Sequence, residues 1–381
     1  MIICKFKNIS IFMSLVLDAL NKFEDPRDPE KVVYPLPSIL FMSICAIFCG
    51  AEGWEDIVLW ADAHKDWLKK NIDMRYGVPS YSTIRRTFMI VLPTCWGKLM
   101  KDVVLSSGKE QQAEDQVPID GKSLCASKCD AKGIRAIQMV SAWSVENEII
   151  LGEVKTESKS NEITAIPLLL ELLDLEGATV SIDAMGCNEK IISKILEQGA
   201  HYLIGLKKNQ PKLHDAVEKY ALKQGMSEEN LVSDSFDESH GRCVRRRYFA
   251  FDIPDHIKQL GFTKMNTVVA TETISSSKYS TGVKSEIRYY LTDHDKSNVN
   301  LPRYVRGHWG VESMHWCLDV HLNDDGDKKY EKNAAENFAK TKRFLFNLVK
   351  SKPPKGKKRS LRLNLKLVGW DMDYLTRLLF S

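Results

Sequence analysis

Two aspartates each close a short, apolar, β-prone run, Val117-Pro118-Ile119-Asp120 and Thr179-Val180-Ser181-Ile182-Asp183, and Glu312 follows far downstream in RGHWGVESMHWCLDV. Three carboxylates presented in this way suit a divalent metal ion acting on a phosphodiester. A hard cation such as Mg²⁺ takes oxygen ligands, keeps several waters, and is usually held by one or two carboxylates plus the phosphates of its substrate. An aspartate at the carboxyl end of a strand sits where open α/β sheets place their ligands. Asp183 fits this well, because Ala184-Met185-Gly186-Cys187-Asn188 reads as a turn, with Asn188 capping a helix over Glu189–Gln198. Taken singly, a strand-end aspartate is more often a turn residue that satisfies local backbone donors.

The elements that must position these acids follow from periodicity and punctuation. Residues 1 to 105 read as helical, with helices over Phe12–Phe23, Ser38–Phe48, Trp54–Lys70 and Tyr81–Val91, and a turn at 25–29. Arg85 and Arg86 lie on the last of these. Without a turn glycine or a clear recognition-helix pattern, the region reads as helical packing rather than as a helix-turn-helix reader of DNA. A polar break over 106–116 precedes a strand at Val117–Ile119 and a hairpin of Ile137–Ser144 with Ile149–Val154. A helix over Asn161–Leu173, the strand ending at Asp183, a helix to Gln198 and a strand His201–Leu206 follow. Three strands, helix, strand, helix, strand is the order of the ribonuclease H-like α/β fold, a mixed sheet with covering helices. In that layout the first and fourth strands are neighbours, which would bring Asp120 beside Asp183.

After Leu206 the βα rhythm stops. Arg245–Phe251, Asn266–Thr273 and Glu286–Thr292 are β-rich and separated by polar loops, so they read as a β-rich insertion. The expected organisation is a helical N-terminal domain over 1–110, a catalytic core over 111–238, the insertion over 239–295, the rest of the core with the glutamate helix over 296–350, and a basic segment over 351–381. On the glutamate helix, read over Pro302–Leu322, His308, Glu312, Trp316 or His315, and Asp319 share one face, while Val311, Met314 and Leu318 share the face beside it. A polar stripe of that kind would be costly as core and therefore reads as cleft lining. Gly307 and Gly310 in a helix interior point to close backbone approach or a late helix start.

Charge and composition bound the partners. The 381 residues carry a net charge of +4, but positions 343–381 hold ten Lys or Arg against two aspartates. A basic tail on a near-neutral body favours a polyanion, since each cation near a phosphate releases condensed counterions. Lys357, Lys358 and Arg359 are its densest run. Arg242, Arg245 and Arg247 line one β-rich piece, either as backbone-phosphate contacts or as a solvated sheet face. Nine cysteines without paired spacing argue for reduced thiols in a cytosol, and Cys125 with Cys129 lacks the second pair that zinc needs. Ile9–Leu17 mimics a signal segment, but Asp18 interrupts it and no cleavage site follows. The uncharged stretch Leu36–Ala51 is too short for a membrane span and reads as a buried helix.

IDGK at 119–122, SNEITAIP at 160–167, DAMGC at 183–187 and RGHWGVESMHWCLDV at 306–320 resemble the H-repeat-associated insertion-sequence transposases of bacteria. The likeness extends to DPRDP at 25–29, CGAEGWEDI at 49–57 and the ending DMDYLTRLLF, so it spans nearly the whole chain beyond the first dozen residues, with Met13 an alternative start. It implies a DDE transposase of the bacterial cytoplasm and nucleoid. Asp120, Asp183 and Glu312 would be its catalytic, metal-binding triad for Mg²⁺ or Mn²⁺, and its DNA partners would be the element's terminal inverted repeats and a target. A homodimer is expected on DNA, because two ends must be held in register. Two other readings stay open: a nuclease of the same fold without strand transfer, and an inactive DNA-binding relic. Ser313 and Lys208 replace the family's usual asparagine and glycine. Related enzymes often carry a basic residue after the glutamate, where this helix offers Asp319, leaving Lys207, Lys208, Arg242 and Arg306 as candidate phosphate partners.

Overall fold

The chain is described from a computed structural model, over residues 16–106, 114–156, 162–239, 241–262, 264–277 and 280–380. The helix expected over Phe12–Phe23 lies partly outside these residues; its described part is helical over 16–21. Leu36–Phe48 (α1) carries no charge, and every residue in it except Pro37 is buried, as its hydropathy requires. Trp54–Ala63 (α2) and Lys65–Lys69 (α3) divide the helix expected over Trp54–Lys70, because His64 leaves helical geometry at φ −114° and ψ 23°. Tyr81–Ile90 (α4) starts where the Ser80 side chain accepts from the Thr83 amide, and it buries Ile84, Thr87 and Phe88. That is a packing role, as expected. A further helix, Pro93–Leu105 (α5), lies where the sequence reading assigns none. Its proline occupies the first turn, where the missing N–H costs nothing, so a residue that reads as a stop is a start.

The sheet is built from Gln116–Leu124 (β1), Ile137–Ser144 (β2), Ile149–Thr156 (β3), Thr179–Ile182 (β4) and His201–Leu206 (β5), with Glu162–Leu170 (α6) and Glu189–Glu197 (α7) between strands. Pro211–Gln224 (α8) follows, again opened by proline and again absent from the sequence reading. Leu231–Ser239 (β6), Arg242–Asp252 (β7), the short Asp255–Lys258 (α9), Thr267–Ser277 (β8) and Ser280–Thr292 (β9) then form a meander. The nine strands make one sheet in the order β3-β2-β1-β4-β5-β9-β8-β7-β6. β1 and β4 are parallel neighbours, as the strand order predicts, and β4 and β5 are parallel too. The β-rich residues start at Leu231, earlier than position 239, and they extend the central sheet through antiparallel pairing of β9 with β5. The observed architecture is therefore a large open mixed sheet preceded by helices.

Leu301–Gly307 (α10) and Trp309–Leu322 (α11) cover the helix expected over Pro302–Leu322, with His308 between them still in helical geometry at φ −55° and ψ −35°. Ala334–Ser351 (α12) is buried along nearly its whole length, and Leu361–Trp370 (α13) and Met372–Phe380 (α14) close the chain. Phe380 stacks on Phe41 of α1 with ring centroids 5.9 Å apart, so the last helix packs on the first. One apolar cluster runs without interruption from Val16 through the sheet to Phe380. The basic run over 355–360 is exposed, in the loop tethered by α12 and α13, whereas Lys352 at its start is half-buried. No helix among the described residues is long and apolar enough to cross a membrane.

Candidate active site

Hydrogen bonding between β1 and β4 sets the site. Their register pairs Ile119 with Ile182, so the next residue on each strand, Asp120 and Asp183, emerges at neighbouring positions. β1 continues to Leu124 along β2, whereas β4 ends at Ile182 and Asp183 becomes the cap of a short turn. One Asp183 oxygen accepts the Met185 amide at 2.9 Å. Asn209 and Gln210, in the loop after β5, donate to the carbonyls of Ala184 and Cys187 at 2.6 and 3.1 Å. That loop also carries Lys207 and Lys208, both exposed.

The third acid arrives on α11, which is held down by its apolar face. Val311, Met314 and Leu318 are buried against Trp143, Ile150 and Phe346. Above this face the α10–α11 joint is pinned to the strands. Gln116 donates from Nε2 to the Ser181 hydroxyl at 3.0 Å and to the Tyr304 carbonyl at 2.5 Å, and His308 Nδ1 lies 3.1 Å from the same hydroxyl. Gly307 abuts the Gln116 side chain where a Cβ would collide, and a Cβ on Gly310 would lie 3.2 Å from the Trp143 indole nitrogen. The two glycines thus mark close approach, as their position in the sequence suggests.

Charges at the site are mutually coupled. Burial presses the Asp120 carboxyl upward, but the contact with His315 and the charges of His315 and His308 outweigh it, leaving Asp120 below its ordinary value. His315 Nδ1 lies 3.4 Å from Asp120. Burial first, then the negative charge of Asp120, raise the Glu312 carboxyl, against His315, Arg288 and Lys207. His308 is lowered by burial, with Asp120, Asp183 and Ser181 opposing and Lys207 adding to the shift. Asp120, Asp183, Glu312, His308, His315, Lys207 and Arg288 therefore share one electrostatic environment.

Three carboxylates in this setting fit a hard divalent ion. Burial is the larger part of the Glu312 shift and the Asp120 charge the second, and a bound cation would offset both by favouring the ionised carboxylate. The triad is looser than a single closed cage: among the described residues, the group of His, Asp and Glu atoms lying within 4.8 Å of one another is His214, Asp215 and Glu218 on α8. Two ions shared among three carboxylates do not require such a cage.

The remaining candidates sit elsewhere. Arg245 and Arg247 are matched by Asp234 and Glu272, with Nε–O distances of 3.0 and 2.8 Å, and Arg246 by Asp237. Arg242 is exposed at the β6–β7 turn, and Arg306 is exposed at the end of α10, where its charge acts on Tyr248. Lys357, Lys358 and Arg359 are exposed in the loop before α13. Asp319 already has a partner that sequence reasoning missed: the buried Lys122, two residues after Asp120, whose Nζ lies 2.6 Å from Asp319 and 3.2 Å from Asp325. Alternation along β1 is the signal that would have found Lys122 on the Asp120 face. Arg288 was missed for want of any local signal. It lies within a strand, beside Glu286, with its guanidinium 5.2 Å from the centre of the Trp309 ring.

Residues 108–348 match the family described as Transposase DDE domain, and residues 17–95 match the DDE_Tnp_1-associated family. The chain belongs to the DDE transposase family. It is 34% identical over 375 residues to the "H repeat-associated putative transposase YhhI" of Escherichia coli strain K12, covering 96% of this chain and 97% of that protein. It is 36% identical over 344 residues to the "Putative transposase YncI" of Escherichia coli O157:H7, covering 88% and 87%. A 71-residue match at 47% identity to the "Inactive transposase YbfQ" of strain K12 covers 19% of this chain and 84% of that protein. As a DDE transposase family member, the chain carries both strand-end aspartates, Asp120 and Asp183, and the helix-borne Glu312 within the matched residues.

Proposed function

We propose that this chain is the transposase of an insertion sequence, built on a ribonuclease H-like core, which cuts DNA at the element's ends and joins the freed 3′-hydroxyl to target DNA. The observation that carries the proposal is the register of β1 with β4, which aligns Asp120 with Asp183, together with the approach of the Glu312 helix, whose His315 Nδ1 lies 3.4 Å from Asp120. Asp120, Asp183 and Glu312 would hold Mg²⁺ or Mn²⁺, and ions there would polarise the scissile phosphate and activate the attacking water or 3′-hydroxyl. Asp120 is central, since its charge acts on both Glu312 and His308. His315 would orient Asp120 through Nδ1, and His308 would hold the joint to Ser181 through Nδ1. Lys207, with Arg288, is suited to hold a phosphate oxygen near the acids. Lys208, Arg242, Arg306 and the loop of Lys357, Lys358 and Arg359 would track the DNA backbone outside the chemistry. Arg245 and Arg247 contribute less, because acids already match them. A dimer on paired ends, acting in the bacterial cytoplasm at the nucleoid, completes this reading.

The test uses the purified chain, DNA carrying the element's end, a second duplex and Mg²⁺. Expected products are nicked ends and ends covalently joined to the second duplex. Asp183→Ala should reduce both by at least about a thousandfold while a gel shift persists, as for loss of an essential metal ligand. Cleavage without any joined product would leave only a nuclease. Cutting that survives Asp183→Ala would remove the metal assignment.

A further inference from the structure

The triad leaves one nearby acid unused. β3 runs parallel to β1, being antiparallel to β2 as β1 is, so the helix that follows β3 begins at the edge where Asp120 and Asp183 emerge. The first residue of that helix, α6, is Glu162. Its carboxylate lies against Gly121, the residue after Asp120: a Cβ on Gly121 would collide with Oε1, would sit 2.6 Å from Cδ and would sit 3.1 Å from Oε2. Glu162 therefore occupies the space that any side chain at position 121 would fill. Glu162, Asp120 and Asp183 line one narrow crevice, together with Ile182 and Gly186.

We propose that Glu162 is a fourth carboxylate of the divalent-cation site, reaching it through the gap left by Gly121. The inference rests on the metal-dependent reading above and adds a residue to it. An acid in the first turn of a helix complements the helix dipole wherever it points. That role does not require a glycine across from it, nor a side chain laid over β1 beside two aspartates. A bound divalent ion reverses the sign of the local field at Asp120 and Asp183, and so favours a further carboxylate lining the same crevice. The number of charged ligands is also what tunes affinity at an oxygen-ligand site.

The experiment measures Mn²⁺ binding by the full chain without DNA, from the electron paramagnetic resonance signal of free Mn²⁺, alongside thermal unfolding without metal. Glu162→Gln should weaken Mn²⁺ binding by about tenfold or more, in a variant that still unfolds cooperatively. Gly121→Ala keeps the acid but expels it from its place, and should weaken binding similarly. Asp183→Asn reports on the underlying reading. If it weakens binding while folded Glu162→Gln and Gly121→Ala bind as the unmodified chain does, the fourth carboxylate is wrong and the metal site stands. If Asp183→Asn has no effect, or the unmodified chain binds no Mn²⁺ at millimolar concentration, the reading beneath the proposal fails as well. Should Glu162→Gln not fold, Gly121→Ala decides alone.

Discussion

Lys122 determines what Asp319 does. The acid stands one helical stretch beyond Glu312, where a phosphate-holding cation would be expected by resemblance, yet it faces an ammonium that is 8% exposed. Converting Asp319 to a cation would set two positive charges together and leave Lys122 with Asp325 alone. Asp319→Lys is therefore expected to destabilise the chain by about 2 kcal/mol, between an exposed pair and a fully buried one, because the Asp319 side chain is 30% exposed. Urea unfolding measures this, and a variant as stable as the parent would show that the pair is idle. Glu312 makes a second prediction with the opposite sign. Its carboxyl is raised in the fold by burial and by Asp120. The fold thus favours its protonated form, a contribution present below the ordinary carboxyl range and lost as pH rises through the raised value. Glu312→Gln imitates the protonated state, so the metal-free variant should melt higher than the parent near pH 7, with the gain vanishing near pH 3. Equal differences at both pH values would sink the coupling argument.

At the scale of elements, the joint at His308 aims Glu312. α10 and α11 meet there, and Gln116, Ser181 and His308 tie the joint to β1 and β4. Gly307→Ala would drive a Cβ into the Gln116 side chain and push the joint off the strands. The expected loss is about 1–3 kcal/mol of stability and a larger loss of DNA cleavage than of DNA binding, since it is the position of Glu312 that moves. Equal losses of cleavage and binding would mean general damage rather than misaiming. The joint also shows where sequence reading stops. The β1 and β4 aspartates were legible, because a strand closed by an acid and followed by a capped turn is a local pattern, and the order of strands and helices implies which strands adjoin. The helix expected over Pro302–Leu322 was legible too, since His308 keeps helical geometry at φ −55° and ψ −35°, but the ties of this region to distant Gln116 and Ser181 were not, because no local pattern marks them. α5 and α8 were missed for the reverse reason, a proline that opens a helix reading locally as one that ends it.

Across the whole molecule, charge balance separates two groups of basic residues that look alike in the sequence. Arg245, Arg246 and Arg247 form a dense run, but strands β6 and β8 place Asp234, Asp237 and Glu272 against them, a pairing that strand register sets and that linear spacing conceals. Lys357, Lys358 and Arg359 lie in an exposed loop held at both ends, by α12 and by helices that pack back onto α1. Counterion release counts cations that meet phosphates, about 0.9 units of salt slope for each on duplex DNA. Replacing all three loop cations with alanine should therefore lower the slope of log K against log salt by roughly 2–3, uniformly across DNA sequences. Arg245→Ala with Arg247→Ala should change it by less than about 1, since each arginine removed also releases an acid that repels DNA. Fluorescence anisotropy of labelled duplex over a salt series reads both slopes. A larger change from the strand arginines than from the loop would mean that DNA displaces their acids, and would move the backbone contact from the tail to the β7 face.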